Sequence, residues 1–510
     1  MEKGNIYFDV EAVRRGIKGK AVRGGGAMLV SRSVGLGIHL ISTVILARLL
    51  TPQDFGLVAM VTAFSLLFYN VGLNGFREAI IQKENIEHKQ VSTIFWIGLA
   101  LSTSLALIFS IGSPILARFY KEPRLIPISI ALSVGFIFSA LATEHIALII
   151  RNMQFHKLMI NEIAAGILST ALAIWMALNG YGYWAIVARQ LSMPIISSIG
   201  AWLQCSWRPG LPAKDADVWP IIKFAYKTFA IFMVNYFGRN LDKVLLGRRW
   251  GSQELGNYDR AYHMFVMPVN QLVTPLSGVA LATLSRLHNE PQRYRQYFLK
   301  ALTLLTLIGM YISVVLTING QDIISLLLGP QWKKTGIVFS ALSPAIGMTV
   351  IYGTIGWLHL SQGTPGRWLK WGVFALISTA SMFMAGLPFG SLGIAIAYSL
   401  SFYLLTWPGI WYAGKPMGIR VGIVWGATWR FYAAAALSGL ITWVAINKFG
   451  NVSRFLLDLP ILLRIASASV VCTALYFLLL AALLRGIKPL CEIFKELIPL
   501  LPGTKDNKTR

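Results

Sequence analysis

Residues 224–247 read FAYKTFAIFMVNYFGRNLDKVLLG, an apolar run that carries Lys227, Asn235, Arg239, Asn240, Asp242 and Lys243. On a helix turning about 100° per residue, Lys227, Asn235, Arg239 and Asp242 share an arc of roughly 120°, a single face. The next apolar run adds Arg260, Asn270 and Gln271, with Arg260 and Gln271 about 20° apart on the same count. The first run of the chain carries Arg32, His39 and Thr43 on a common face. Ionisable groups at membrane depth are costly and mark substrate or ion paths. The excess is cationic: Arg32, Lys227, Arg239 and Arg260 stand against one intramembrane carboxylate, Asp242. Guanidinium groups match phosphate and carboxylate oxygens bidentately. Asn235, Asn270, Gln271, Tyr258 and Tyr262 add the neutral partners that sugar hydroxyls use.

Each of these groups has a structural role that competes with binding. Lys227 and Arg32 lie near helix ends, where long cationic side chains reach out to headgroups. Arg239 and Asp242 also make a structural ion pair at i, i+3. Glu144 and Glu162 lie near span ends with Arg151 or Lys157 in reach as partners, and Arg189 sits beside Gln190 inside a span. His145 and His263 have no second His or Cys at ligand spacing, so no metal site and no cofactor is expected.

The elements that must hold these residues are membrane spans. The chain has 510 residues, 55% hydrophobic and 13% charged, with mean hydropathy +0.60; soluble domains carry about 25% charged residues. Apolar runs of about 20 residues, enough to cross a ~30 Å hydrocarbon core, recur along it. The expectation is an all-α polytopic membrane protein of about fourteen transmembrane helices. A net charge of +25 would point to nucleic acid in a soluble chain, but no basic stretch carries the interleaved aromatics of a strand-binding groove. The Lys and Arg residues instead fall in loops of one side, about 29 against about 14, which places both termini in the cytoplasm. Cys205, Cys472 and Cys491 are scattered and form no disulfide framework.

The organisation read from these runs is a cytoplasmic N-terminal arm (1–25), helices one to six (26–205) and a Pro- and charge-rich cytoplasmic linker (206–221). Helices seven to twelve (222–413), helices thirteen and fourteen (414–484) and a cytoplasmic tail (485–510) follow. The first run has full spanning length and no obvious cleavage site, so it reads as an uncleaved span. Loops are short, which leaves no room for a nucleotide fold or a soluble catalytic module and argues against an enzyme.

One element is written twice. ILARLLTPQDFG (45–56) and LLGRRWGSQELG (245–256) share Leu46/Leu246, Arg48/Arg248, Gln53/Gln253 and Gly56/Gly256. Asp54 or Glu254 falls at the start of the second helix, where the macrodipole favours an anion. The copies are separated by an even number of spans, the pattern of parallel repeats about an axis along the membrane normal, with a substrate site between the halves.

The stretches ILARLLTPQDFGLVAMV, GFREAIIQKENIEHKQVSTIFW and GRNLDKVLLGRRWGSQELGNYDRAYHMFVMPVNQLVTPLSGVALATLSRL resemble the polysaccharide transporter family. These are the Wzx-like flippases of exopolysaccharide, capsule and O-antigen assembly, within the multidrug/oligosaccharidyl-lipid/polysaccharide exporter superfamily. The likeness is greatest to the colanic-acid and succinoglycan branch. The resemblance implies two pseudo-symmetric six-helix lobes around a central cavity, two extra C-terminal helices and alternating access. It implies an undecaprenyl-diphosphate-linked oligosaccharide as cargo, the bacterial inner membrane as location, and a polymerase and export machinery as partners. The same fold also serves flippases of the peptidoglycan lipid precursor and multidrug extruders; a cationic chamber disfavours cationic drugs. A membrane glycosyltransferase or polymerase is a further alternative, disfavoured by short loops poor in paired carboxylates. With no GxxxxGK[ST] loop, uphill transport must draw on a proton or sodium gradient unless consumption of the product pulls it. Asp242 is the leading coupling group, ahead of Glu144, Glu162 and His39.

Overall fold

The computed structural model describes residue 7 and residues 17–73, 76–83, 85–213, 218–448, 459–486 and 488, although the side chains of 70–73, 275, 447–448 and several residues within 17–29 and 220–239 are outside the description. Every regular element among the described residues is helical. The chain divides into two compact units, Met1–Gly256 and Asn257–Arg510.

The first unit contains α1 (Ile17–Leu49), α2 (Pro52–Leu73), α3 (Phe76–Gln82), α4 (His88–Ile111) and α5 (Ser113–Tyr120). It continues with α6 (Leu125–Arg151), α7 (Phe155–Leu178), α8 (Tyr183–Gln204) and the opening of α9 (Trp219–Arg286). The helix breaks have local causes. Thr51 and Asp54 cap the start of α2 reciprocally: Asp54 Oδ2 accepts the Thr51 backbone N–H at 2.9 Å and its hydroxyl at 2.6 Å. Together these satisfy donors that a helix start leaves open. The long α9 is interrupted at Gly251, whose φ of 83° only glycine adopts at little cost.

The second unit holds the remainder of α9 and α10 (Pro291–Leu328), α11 (Lys333–Leu342), α12 (Ala345–Ser361) and α13 (Pro365–Gly386). Beyond these come α14 (Gly390–Gly414), α15 (Val421–Lys448) and α16 (Ile461–Leu483), the last two packed together and against α10. Arg464 forks onto Asp322, its Nε at 2.7 Å from Oδ2, and so ties α16 to the end of α10.

Among the described residues 11 helices suffice by length and composition to cross a membrane, or 12 when the pair Pro330–Leu342 and Ala345–Ser361, bent by 52°, counts as one span. Two of these segments, Asn240–Arg286 and Pro365–Met417, are far longer than one crossing requires. The second of them divides at the 3-10 turn Leu387–Phe389 between α13 and α14, and α9 divides at Gly251, so the count is consistent with the fourteen spans expected.

The doubled hinge is also a contact. A Cβ on Gly56 would fall onto the backbone carbonyl of Ser252, and one on Gly256 onto that of Pro52; each would lie 3.0 Å from the other glycine's nitrogen. The partners obey the same offset of two hundred as the sequence identities. The two hinges therefore cross backbone to backbone within the first unit, and only residues without side chains permit that approach.

Candidate functional site: a polar cavity inside the first unit

A cavity of about 560 Å³ lies among α2, α3, α6 and α8. Thr62, Ser65 and Tyr69 face it from α2, Ser139 and Thr143 from α6, Gln190 and Ser197 from α8, and Arg77 from the short α3. Its wall on α6 runs from Leu132 to Ile146, about 21 Å at 1.5 Å per residue. The hydroxyl of Thr62 returns to its own helix at Val58 O, 2.7 Å, and reaches Gln190 Oε1 at 3.3 Å. Ser139 is 5% exposed and its hydroxyl has no partner among the described residues. Tyr69 and Phe136, both on the wall, meet edge to face at 6.3 Å.

The sequence makes one further polar group here. Pro194 sits inside α8, and a proline has no N–H for the carbonyl four residues earlier. That carbonyl belongs to Gln190, itself on the cavity wall. The proline within the run RQLSMP was a readable signal for this acceptor. Arg77 was not read as a site residue, because between two apolar runs it looked like a topology-setting loop charge. It is half-buried, its Nε lies 3.6 Å from Glu78, and it makes no other polar contact among the described residues.

The residues singled out from the sequence are distributed differently. The side chains of Lys227, Asn235 and Arg239 lie outside the described residues. Asp242 is 1% exposed and accepts the Lys243 backbone N–H at 2.8 Å. Arg32, His39, Asn270 and Gln271 are exposed. Arg260 is not a free cation: its guanidinium donates to Asp259 Oδ2 at 2.7 Å, and His263 Nε2 lies 3.6 Å from Asp259 Oδ1. Counting Asp242 as the one intramembrane carboxylate overlooked Asp259, which is buried beside the arginine that it neutralises.

Glu144 and Glu162 also differ from expectation. Glu144 is buried on the far side of α6 from the cavity, against Gly98, with Oε2 unpartnered among the described residues. Glu162 accepts the Ser31 hydroxyl at 2.8 Å. The cations expected beside them serve helix ends instead. Arg151 donates to the carbonyls of Ile80, at 3.0 Å, and of Lys83, and Lys157 donates to Gln204 O at 2.9 Å. Last-turn carbonyls have no helical donor and sit at the negative end of the helix dipole, so they draw cations. Arg189 donates to Thr170 at 3.4 Å. Among the described residues no cluster of His, Cys, Asp or Glu is arranged to hold a metal.

The described helices form a multi-pass membrane bundle that keeps a hydroxyl-rich cavity within its first unit. The fold is that of solved members of this class: the lipid II flippase MurJ in an inward closed conformation, at TM-score 0.68 and 15% identity over 91% of this chain and 99% of that one. A multidrug resistance MATE family transporter, inward-facing, follows at TM-score 0.57 and 12% identity over 76% of this chain and 98% of that one. The polysaccharide biosynthesis protein family matches residues 45–336, more than half of the chain, and the chain belongs to that family. It is 21% identical to the lipopolysaccharide biosynthesis protein WzxC of Escherichia coli K12, over 75% of this chain and 79% of that protein. It is 22% identical to the succinoglycan biosynthesis transport protein ExoT of Rhizobium meliloti, over 72% of this chain and 75% of that protein.

Proposed function

We propose that the chain flips an undecaprenyl-diphosphate-linked oligosaccharide repeat unit across the bacterial inner membrane for polysaccharide assembly, by alternating access and without chemistry on its cargo. The observation that carries this reading is the hydroxyl-rich cavity sunk in a membrane-spanning bundle of a chain that belongs to the polysaccharide biosynthesis family. Relatives named for lipopolysaccharide biosynthesis and succinoglycan transport point the same way. In this reading both termini are cytoplasmic, and α3 and the ends of α6 and α8 face the cytoplasm. Lobes 26–205 and 222–413 enclose a lumen to which Arg32, Lys227, Arg239, Arg260, Asn235, Asn270 and Gln271 contribute. Asp242 is the leading group for coupling to protons or sodium, with Glu144, Glu162 and His39 behind it, and a polymerase and export machinery take up the flipped unit.

The test is reconstitution of the full chain in proteoliposomes with a fluorescent undecaprenyl-diphosphate oligosaccharide. A reagent outside the vesicles should gain access to the inner-leaflet pool at a rate that depends on the protein. The MurJ-like fold makes the peptidoglycan lipid precursor the natural competitor. Flipping of lipid II with no flipping of longer repeat units would replace the proposed cargo with that one, and access to neither would remove the reading.

A further inference from the structure

We propose that the cavity inside the first unit seats the saccharide of the cargo, and that Arg77 there takes an anionic oxygen, a sugar carboxylate or a phosphate. This rests on the function proposed above and adds to it a ligand site within the first unit. Four observations carry it.

The first is volume. About 560 Å³ falls inside the 300–1,000 Å³ of ordinary ligand pockets, and the wall on α6 is long enough for several sugar rings. The second is the chemistry of the wall. It holds hydroxyls and an amide but no carboxylate, with Arg77 as its cation. Neutral hydrogen-bonding groups carry no Born penalty in a low-dielectric bundle, whereas polar groups left without partners there cost free energy. A ligand rich in hydroxyls satisfies them. The third is the set of groups in surplus. The Ser139 hydroxyl is buried without a described partner, and Pro194 removes the donor for the Gln190 carbonyl. The fourth is the aromatic edge made by Tyr69 and Phe136, whose apolar faces suit the C–H faces of pyranose rings.

Arg77 fixes the class of ligand further. Glu78 Oε1 lies 3.6 Å from its Nε, longer than a charge-assisted hydrogen bond. A guanidinium so loosely held, at the wall of a cavity without carboxylates, selects for a ligand with negative charge. Repeat units with a uronic acid, or the diphosphate that joins sugar to lipid, both supply it.

The experiment uses the full chain in nanodiscs and three soluble probes, trigalacturonate and maltotriose titrated by saturation-transfer NMR and inorganic pyrophosphate by 31P line broadening. Trigalacturonate should bind the wild type and lose about tenfold in Arg77→Gln, the loss of one charge-assisted contact, with partial recovery in Arg77→Lys. Maltotriose should be indifferent to Arg77→Gln. Gln190→Leu and Ser139→Leu should weaken both sugars. Gln190 is exposed to the cavity and tolerates change if Ser139→Leu fails to fold. If Arg77→Gln weakens pyrophosphate and leaves trigalacturonate alone, the anion at Arg77 is the diphosphate. If the variants bind all three probes as the wild type does, the site does not exist. The flipping assay separates the two levels: a wild type that flips nothing defeats the proposed function. A wild type that flips, matched by Arg77→Gln and Gln190→Leu at equal rate on an acidic repeat unit, defeats only the saccharide seat.

Discussion

The fourth membrane helix of each set of six read from the sequence is built differently, and the difference shows what the polar residues around each are for. In the first unit α6 packs between α4 and α8 as an unbroken helix of 27 residues, and its neighbour is interrupted instead, at Gly112 between α4 and α5. In the second, α10 runs unbroken for 38 residues while the corresponding segment breaks between α11 and α12 at Ser343–Pro344. Carbonyls beside that break take donors from neighbouring hydroxyls. Ser313 donates to Ser343 O at 2.8 Å and Pro344 O at 3.0 Å, Tyr403 donates to Pro344 O at 3.0 Å, and Ser399 donates to Ala341 O at 2.7 Å. A void near α10 and α12 is about 10 Å³ and apolar, lined by residues such as Leu304 and Trp357. Around this break the second unit's hydroxyls serve its own backbone. The first has a cavity of about 560 Å³ with Ser139 and Gln190 on its wall, the Ser139 hydroxyl having no partner among the described residues.

The largest effect is expected where the repeat is most symmetric. Gly56→Ala and Gly256→Ala each force a methyl group onto a backbone carbonyl that cannot swing aside. Overpacked sites cost about 1–3 kcal/mol, and more where backbone must move. Both variants should lower the Tm of the purified protein by similar amounts, and the double variant should cost less than the sum, because both press on one crossing. A harmless Gly56→Ala beside a damaging Gly256→Ala would show that the two hinges do not meet reciprocally.

Hydroxyl deletions sharpen the contrast between units. Ser313→Ala takes the hydroxyl donor from the Ser343 carbonyl, while Pro344 O keeps the Tyr403 hydroxyl, a loss of about 1 kcal/mol, and transport should fall only as far as the folded fraction does. Ser139→Ala deletes a hydroxyl with no partner among the described residues, so Tm should hold or rise while transport falls at full protein level. Measuring Tm and flipping rate on the same preparations separates the two roles. If Ser139→Ala unfolds the protein and leaves transport per folded molecule unchanged, its hydroxyl belongs to the fold.

What the sequence made legible follows from the range of each interaction. The spans are local statistics of apolar runs, so the membrane class and the helical architecture were readable directly. The hinge was readable because Gly56 and Gly256 repeat within matching strings, although their meeting in space was not. The cavity was not readable as a whole: Thr62, Ser139 and Gln190 are ordinary polar residues in separate runs, and only tertiary packing brings them to one wall. Arg77 was discounted because a positive charge between spans has a sufficient explanation in topology. Arg260 was overvalued because its neutralising carboxylate is the residue next to it, and the face-by-face reading of the helix passed over Asp259. Arg151 and Lys157 were assigned to carboxylates, but unsatisfied helix-end carbonyls compete for the same donors.

The smallest expected effect lies in the turns that precede the two fourth helices, which also differ. The first turn leaves the helix through Lys121 at φ 58° and continues Glu122–Pro123–Arg124; the second leaves through Gly329 at φ 104° and continues Pro330–Gln331–Trp332. Only the first carries an ion pair: Arg124 Nε and Nη2 each donate to Glu122 at 2.8 Å. Those hydrogen bonds hold the Glu122 carboxyl below its ordinary value of 4.5. A depressed carboxylate pKa means the unfolded chain binds the proton more readily, so the pair's contribution is complete above the ordinary value and is lost as pH falls through the folded one. The Arg124 side chain is 43% exposed, and exposed pairs contribute about 0.2–1 kcal/mol, less in salt. Glu122→Gln should therefore lower Tm slightly at pH 7, and the gap from the wild type should close on acidification below pH 4.5. The second turn offers no such titration, so Gln331→Ala should show no pH-dependent difference. A gap for Glu122→Gln that widens in acid would mean that the carboxyl is more stable protonated in the folded chain, and the turn would then need a different account.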